Sequence, residues 1–180
     1  MLVNLSDVLT SEGRQEKKEI PLEMTVFENS QGSFGITEKE PVSFVFTNIE
    51  VGKARIEGSA TLTFQVNCDR CLTEMPLTLN IDFEHCVYSP DAGSRDGDNE
   101  TLYQMDDQSF MDGYQLDVEA FMYGEILVNW PSKILCRRDC KGICPKCGQN
   151  RNLTECGCDT FVPDPRMAAI QDIFNASKEV

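Results

Sequence analysis

The sequence predicts an α+β protein: an antiparallel, partly barrel-like β-sheet with one packed helix, a cysteine-rich segment and a C-terminal helix. Three observations predict this fold. Apolar and polar residues alternate through much of the first half, a strongly apolar stretch at 116–128 has helical spacing, and cysteines concentrate near the C-terminus. A chain of 180 residues fits one domain with a small appendage. We therefore divide it into a β-rich core, 1–130, and a second part, 131–180, packed on the core.

Three stretches show the alternation of half-buried antiparallel strands, namely 41–48, 53–67 and 76–88. Gly52 marks the turn between the first two. A Cys-x-x-Cys motif over 68–71 separates the last two. We place this motif at the tip of a β-hairpin, where the turn points both sulfur atoms in the same direction.

The stretch 116–128 is predicted to be a core helix that packs on the sheet and ends before Pro131. Four residues fall on one side of it, and four more widen the apolar face. The first four are Leu116, Ala120, Tyr123 and Leu127, and the others are Val118, Phe121, Met122 and Ile126. A helix on a membrane surface is the alternative, but the basic flank that such helices use is missing. A second, amphipathic helix is predicted over 163–180, where Asp164 is a suitable N-cap.

The net charge is −14, from 16 Lys and Arg against 30 Asp and Glu, and it disfavours unaided binding to bulk nucleic acid. Residues 89–101 are predicted to form a flexible acidic loop because Pro, Gly, Ser and Asp dominate them. From Asp91 to Glu119 there are nine acidic residues and one basic residue, Arg95. This stretch is either solvated or a docking segment for a basic partner.

No stretch has the roughly 20 apolar residues of a membrane span, and the N-terminus lacks the features of a signal peptide. A cytoplasmic location is therefore expected, where paired cysteines indicate metal binding before disulfides. Eight of the nine cysteines form short-spaced pairs, and only Cys86 stands alone. The pairs are Cys68 and Cys71, Cys136 and Cys140, Cys144 and Cys147, and Cys156 and Cys158.

The segment 136–158 is predicted to be a zinc-binding segment. One part of it, Cys144-Pro145-Lys146-Cys147-Gly148, has the form of a zinc-ribbon knuckle. Ligation by thiolates alone favours zinc or iron. Closed structural zinc sites take four ligands. One arrangement has two zinc ions, held by Cys68, Cys71, Cys136 and Cys140 and by Cys144, Cys147, Cys156 and Cys158. The other has one zinc ion, held by Cys140, Cys144, Cys147 and either Cys156 or Cys158.

The sequence contains no recognisable catalytic set, so we expect a protein that is not an enzyme. It has no phosphate-binding loop, no nucleotide fingerprint and no serine-hydrolase elbow. The one histidine, His85, is predicted to be a structural strand residue rather than a ligand or a base. The rival hypothesis is a thiol-redox or metal-handling protein that uses Cys68 and Cys71.

The stretch from Cys136 to Arg151 is the one basic concentration in the chain, and it contains a single acid, Asp139. Its basic residues are Arg137, Arg138, Lys141, Lys146 and Arg151. One explanation is that they offset the negative charge that four thiolates leave around one zinc ion. The other is a local contact with RNA or with a protein partner.

The chain resembles the YceD family, whose members are called large ribosomal RNA subunit accumulation proteins. The resemblance extends over residues 40–176. The residues that carry it are Cys68 to Leu72, Leu135, Cys136, Asp139 to Gly142, Cys144, Pro145, Cys147, Gly148, Asn150, Asn152, Leu153, Cys156, Cys158 and Asp164 to Arg166.

The resemblance implies a role in ribosome biogenesis, in which the protein supports accumulation of 23S rRNA and assembly of the large ribosomal subunit. It implies no catalytic activity. The partners that we expect are a large-subunit rRNA precursor or ribosomal proteins, with no membrane and no small-molecule substrate. In the mechanism that we expect, zinc orders the basic segment, which then makes a local contact with one of these partners.

Overall fold

Nine strands and two helices occur in the residues that the computed structural model describes, 1–91 and 109–158. The strands are β1 (Leu2–Asn4), β2 (Gln15–Ile20), β3 (Val26–Asn29), β4 (Gly32–Lys39), β5 (Val42–Glu50), β6 (Lys53–Asn67), β7 (Glu74–Tyr88), β8 (Met111–Asp112) and β9 (Gln115–Asp117). The helices are α1 (Ser6–Thr10) and α2 (Val118–Asn129).

Strand β6 is the centre of the main, six-stranded antiparallel sheet. Along one side it pairs with β7 over the whole length of both strands. Along the other side it pairs first with β5 and then with β4, and β2 and β3 extend the sheet beyond these two. A small sheet in the order β1-β9-β8 lies in the same unit. The predicted antiparallel sheet is confirmed, but the strands of the described residues do not close into a barrel.

The core lies between the main sheet and α2. Apolar side chains at alternate positions of β5 and β6 are fully buried, among them Phe44, Phe46 and Phe64. Phe121 of α2 stacks edge-on against Phe83 of β7, with ring centroids 5.0 Å apart. The strict alternation of β6 thus supplies one wall of the core, and the helix supplies the other.

Helix α2 begins two residues later than the sequence predicted. Residues 115–117 form β9, and the Asp117 side chain caps the helix by accepting the N–H groups of Glu119 at 3.0 Å and Ala120 at 3.4 Å. This carboxylate therefore satisfies backbone donors that have no partner within the helix.

Only part of the apolar face predicted for this helix is buried. The core-facing residues are Val118, Phe121, Met122 and Ile126, whereas Tyr123 and Leu127 are 39% and 47% exposed. Tyr123 lies at the border of the core, where its hydroxyl donates to the Glu28 carbonyl at 2.8 Å. Apolar residues occupy most positions of this helix, so the contact with the sheet decides which side is buried.

The described chain separates into two compact units. The first comprises 1–67 and 74–134, and the second comprises the hairpin tip 68–73 together with the chain from residue 135 onward. The predicted division at residue 130, and the packing of the two parts on each other, stay predictions. Most of the predicted acidic loop, 92–101, and the whole predicted helix over 163–180 lie outside the described residues.

Among the described residues, neither helix has the length and apolar character that crossing a membrane requires.

Gly58 of β6 provides a test of how closely the sheet and the core are packed. A Cβ at this position would overlap the Ser43 carbonyl oxygen and lie 2.7 Å from Cζ of Phe83. We expect Gly58→Ala to lower the free energy of unfolding by about 3 kcal/mol, because the backbone of β5 cannot yield. Gly35→Ala is the matched control, since its Cβ would meet nothing within 4 Å. Equal effects of the two substitutions in urea unfolding would contradict the packing described.

Candidate metal centre

Two turns of the second unit, 68–73 and 144–149, have the same backbone geometry. In each turn, the N–H of the fifth residue donates to the carbonyl of the first at 2.9 Å. The N–H of the first residue donates to the carbonyl of the sixth, at 2.9 Å in the first turn and 2.8 Å in the second. The fifth residue has a positive φ, 58° at Leu72 and 72° at Gly148. The two Cys-x-x-Cys motifs therefore form the same type of knuckle, with leucine at the fifth position in one and glycine in the other.

The first group of cysteines joins one knuckle to a distant part of the chain. It comprises Cys68, Cys71, Cys136 and Cys140, whose sulfur atoms all lie within 4.8 Å of one another. The Sγ atoms of Cys68 and Cys140 are 3.9 Å apart, and those of Cys71 and Cys136 are 3.6 Å apart.

The second group forms within a short stretch of chain. It comprises Cys144, Cys147, Cys156 and Cys158, again with all sulfur atoms within 4.8 Å. Both members of the closely spaced pair 156 and 158 belong to it. Cys140 lies in the first group, and Cys86 is exposed on β7 and belongs to neither group.

The sulfur geometry fits a tetrahedral metal ion. With a metal–sulfur bond of about 2.3 Å, the edges of a tetrahedral four-thiolate site are about 3.8 Å long. The 3.6 Å and 3.9 Å separations in the first group match this length, and all nine cysteines are free thiols. A disulfide would bring two sulfur atoms to about 2.05 Å. Each group could therefore hold one metal ion.

Asn152 organises the surroundings of the first group. Its Nδ2 donates to Cys140 Sγ at 3.2 Å and to Asn150 Oδ1 at 2.9 Å. Its Oδ1 accepts from the backbone N–H of Lys141 and from Arg137 Nη2, both at 2.8 Å. A single side chain thus fixes a sulfur atom and the backbone beside it, which is how residues around a metal site orient its ligands.

Thr73 makes a comparable contact on the other side of the group. Its hydroxyl accepts from Asn150 Nδ2 at 3.2 Å and lies 3.2 Å from Cys71 Sγ. The neutral Cys71 thiol donates to this hydroxyl oxygen, and the hydroxyl and the backbone of Thr73 hydrogen-bond to the thiolate once it forms. These bonds lower the pKa of the Cys71 thiol. The threonine therefore favours the thiolate that a metal ion needs.

The hairpin tip packs on the segment that follows Cys140. The Arg70 carbonyl accepts the Ile143 N–H at 3.0 Å, and Arg70 Nη1 donates to the Cys140 carbonyl at 3.0 Å. Gly142 has a φ of 73°, and a Cβ there would lie 3.0 Å from the Arg70 carbonyl oxygen. The glycine is required both by its backbone conformation and by this close approach.

Backbone N–H groups favour one thiolate in each group. Burial raises the pKa of Cys68, but the N–H groups of Cys136, Cys71 and Arg70 outweigh it and lower the pKa to about 6. The N–H groups of Cys147 and Lys146 lower the pKa of Cys144 to about 6.

Other members of the groups resist ionisation. Burial, followed by the neighbouring Cys140 and Cys71, raises the pKa of Cys136 to about 12. Hydrogen bonding to Cys147, followed by burial, raises the pKa of Cys158 to about 12. Four thiolates this close together repel one another, so a cation is needed before all of them ionise.

The five predicted basic residues are all exposed. Arg137 lies 3.5 Å from Asp139, and Lys141 lies 3.2 Å from Glu155. Arg138, Lys146 and Arg151 make no ion pair within the described residues. A cavity of about 440 Å³ is lined by Lys141, Arg151, Glu155 and Cys156. The contact of the five basic residues with RNA or with a protein partner stays a prediction.

His85 lies outside the second unit. Its Nε2 is 2.8 Å from Glu125 Oε1 of α2, and its ring lies edge-on to Phe121 at 5.4 Å. The histidine thus connects β7 to the helix within the first unit.

The sequence reasoning missed the residues that support the sulfur atoms. Arg70, Asn150 and Asn152 belong to the family pattern, which gives them no role beside the sulfur atoms, and Thr73 lies outside it. The available signal was an amide or hydroxyl side chain within a few residues of a cysteine, which is too common to be specific.

The fold and the site define a class of protein: an antiparallel β-sheet protein with two four-cysteine groups of the kind that hold structural metal ions. The model of the family described as "Large ribosomal RNA subunit accumulation protein YceD" matches residues 56–174. This range is more than half of the chain and includes both cysteine groups, so the chain belongs to the YceD family. No curated protein and no solved structure matches the chain.

Leu72 allows a test of the knuckle geometry. Leucine with a positive φ is strained by roughly 1–2 kcal/mol, and this side chain is 62% exposed. We expect Leu72→Gly to stabilise the second unit by about 0.5–1 kcal/mol once the extra chain entropy of glycine is subtracted. Hydrogen exchange of the amides at 68–73 measures this stability. Leu72→Ala keeps the Cβ, so a similar gain from alanine would contradict backbone strain as the cause.

Proposed function

We propose that the chain is a non-catalytic cytoplasmic factor that supports accumulation of 23S rRNA and assembly of the large ribosomal subunit. In this proposal, structural zinc orders a basic binding surface on the second unit. The observation that carries the proposal is the coincidence of two four-sulfur groups with exposed basic residues in one small unit. Membership of a family named for large-subunit rRNA accumulation supports the biological role.

Zinc is the metal that the donor set favours. Each group offers four sulfur donors and neither contains a histidine or a carboxylate. Four thiolates leave no open position for a substrate or a water molecule, which is typical of structural rather than catalytic zinc. Zn²⁺ bound in the first group would be held by cysteines from the hairpin tip and from the segment after residue 135. The ion would offset the negative charge of their thiolates and so reduce the repulsion between them.

The described part of the second unit has few apolar contacts that could stabilise it without a metal ion. Within its described residues, the buried apolar side chains are all cysteines, namely Cys68, Cys71, Cys140 and Cys144. Of the larger apolar residues, Leu72, Ile143 and Leu153 are exposed, at 62%, 38% and 83%, and Leu135 is half-buried. A segment without a hydrophobic core requires another source of folding free energy, and metal binding supplies it in many small domains.

The charge of the second unit makes it the part of the chain that would contact RNA with the least repulsion. Its described residues include six basic and three acidic side chains, a net charge of +3 before metal binding. Two zinc ions with eight thiolates change this value to about −1, and the same ions change the charge of the whole chain from −14 to about −18. Arg138, Lys146 and Arg151 have no ion-pair partner in the described residues and are therefore the candidates for phosphate contacts.

The acidic stretch over 91–119 is proposed to assist by engaging a basic ribosomal protein. The motivation is the opposed charge of the two segments, which would let one partner neutralise the acidic stretch while the basic unit contacts RNA.

A thiol-redox function through Cys68 and Cys71 is the weaker alternative. Both cysteines lie in a group with Cys136 and Cys140. A redox pair of two cysteines does not require two further cysteines beside it. The lowered pKa of Cys68 is equally expected of a metal ligand.

Metal content is the direct test of the site. Protein purified from reducing, zinc-supplemented cells should contain about two moles of zinc per mole of chain by elemental analysis. Cys71→Ser and Cys147→Ser should each lower this content, and Cys86→Ser should not. Removal of zinc by a chelator should expose the thiols together with loss of amide protection over 135–158. A metal-free chain with these amides protected would overturn the proposal. A content of about one would contradict the filling of both four-cysteine groups.

Charge reversal tests the binding surface. We expect Arg138→Glu with Lys146→Glu to weaken association with large-subunit precursors severalfold in co-sedimentation, and to lower 23S rRNA accumulation in cells. Lys17→Glu with Lys133→Glu is the matched control, since both lysines are exposed in the first unit. Zinc content should be unchanged in both variants. Equal association of the two variants would contradict the assignment of this surface.

A further inference from the structure

Strand β7 has a long edge that no strand within 1–91 and 109–158 covers. It pairs with β6 over all 15 of its residues, and no other strand of the described residues pairs with it. An unpaired strand edge presents a row of N–H and C=O groups that can pair with another chain.

The hydrogen bonding at the ends of the ladder shows which residues face this edge. The Ser89 N–H donates to the Gly52 carbonyl at 2.8 Å, immediately beyond the pair Lys53 and Tyr88. Hydrogen-bonded and non-hydrogen-bonded pairs alternate along an antiparallel ladder without a register shift. Even-numbered residues of β7 therefore point their backbone N–H and C=O groups away from β6. The outward-facing positions in the middle of the strand are Thr78, Asn80, Asp82 and Glu84.

Pro76 agrees with this alternation. It occupies an even position, paired with Gln65, where the missing N–H costs the ladder no hydrogen bond. A proline at an outward-facing position also marks where strand addition must stop. The available edge accordingly extends from Thr78 toward Glu84.

The two faces that border the edge differ in chemistry. On the core side, Leu77 and Leu79 are only half-buried, whereas their partners on β6, Phe64 and Leu62, are fully buried. The apolar row is thus incompletely covered where the sheet ends.

On the solvent side, the edge is acidic. Asp82 and Glu84 are both exposed, and Glu84 lies 3.4 Å from Nε of Arg55. Asp82 has no ion-pair partner among the described residues. A strand added here would face the half-buried leucines on one side toward its Thr78 end, and the carboxylates on the other side toward its Glu84 end.

We propose that the β7 edge between Thr78 and Glu84 binds an extended peptide segment in which basic and apolar residues alternate. The peptide backbone would pair with the outward N–H and C=O groups of β7. Its apolar side chains would cover Leu77 and Leu79, and its basic side chains would lie beside Asp82 and Glu84. The partner is therefore a protein with a basic extended segment. Zinc and the basic surface play no part in this inference, so either can fail without the other.

A second copy of the chain is the less favourable occupant. Antiparallel pairing of two β7 edges about a twofold axis would bring acidic residues of one copy close to acidic residues of the other, which is destabilising. Light scattering over a range of concentrations should show no dimer. A dimer that Asn80→Pro abolishes would overturn the choice of a basic partner.

Hydrogen exchange of the full chain tests whether the edge is free. The amides of Leu77, Leu79, Ile81 and Phe83 should be protected by their bonds to β6, and those of Thr78, Asn80, Asp82 and Glu84 should exchange quickly. Protection of both sets in the isolated chain would show that the edge is already covered, and the proposal would be withdrawn.

Binding is tested with a fluorescent peptide of alternating lysine and valine, seven residues long, by anisotropy. We expect saturable binding, weakened about tenfold or more by Asn80→Pro, which removes an outward N–H and leaves the β6 ladder intact. Asn80→Ala keeps the N–H and should change the affinity less than about twofold. Asp82→Asn should weaken binding and reduce its salt dependence. No binding, or equal binding to the Asn80→Pro variant or to a glutamate–valine peptide, would overturn the proposal.

Discussion

Repulsion between neighbouring thiolates is the constraint on which the second unit depends. Four sulfur atoms within 4.8 Å of one another cannot all carry charge unless a cation lies among them. Backbone N–H groups lower the pKa of Cys68 and Cys144, whereas burial and the other sulfur atoms raise the pKa of Cys136. Since cysteines are also the buried apolar residues in the described part of this unit, a metal ion held by either group would also order the chain around it.

The sequence predicted the long strands well and the short elements poorly. The predicted strand 53–67 has the same bounds as β6, because fifteen alternating residues leave little freedom of register. Strand β2, with the sequence QEKKEI, contains one apolar residue and is a strand through its pairing with β5. Helix α1 has five residues, too few for a helical period to be visible. The buried face of α2 was not predictable, because its composition is apolar on nearly all sides.

In the candidate site, too, features set by neighbouring residues in the sequence were predictable, and features set by contacts between distant residues were not. Cysteine spacing identified the four pairs, but which pairs share a group depends on a contact between Cys71 and Cys136, 65 residues apart. The roles of Asn152 and Thr73 depend on the path of the backbone around the sulfur atoms. The positive φ of Leu72 was also unpredictable, since glycine is the residue expected in that conformation and Gly148 occupies it in the other knuckle.

The separation of Cys71 from Cys136 has a consequence for the order of events during translation. The second group lies within residues 144–158 and closes a short loop, whereas the first group joins residues 65 to 72 positions apart. Closing the longer loop costs more chain entropy and slows folding. Because of this separation, Cys68 and Cys71 are synthesised well before Cys136 and Cys140. For the first group to hold a metal ion, the two earlier thiols must stay reduced until synthesis has passed Cys140.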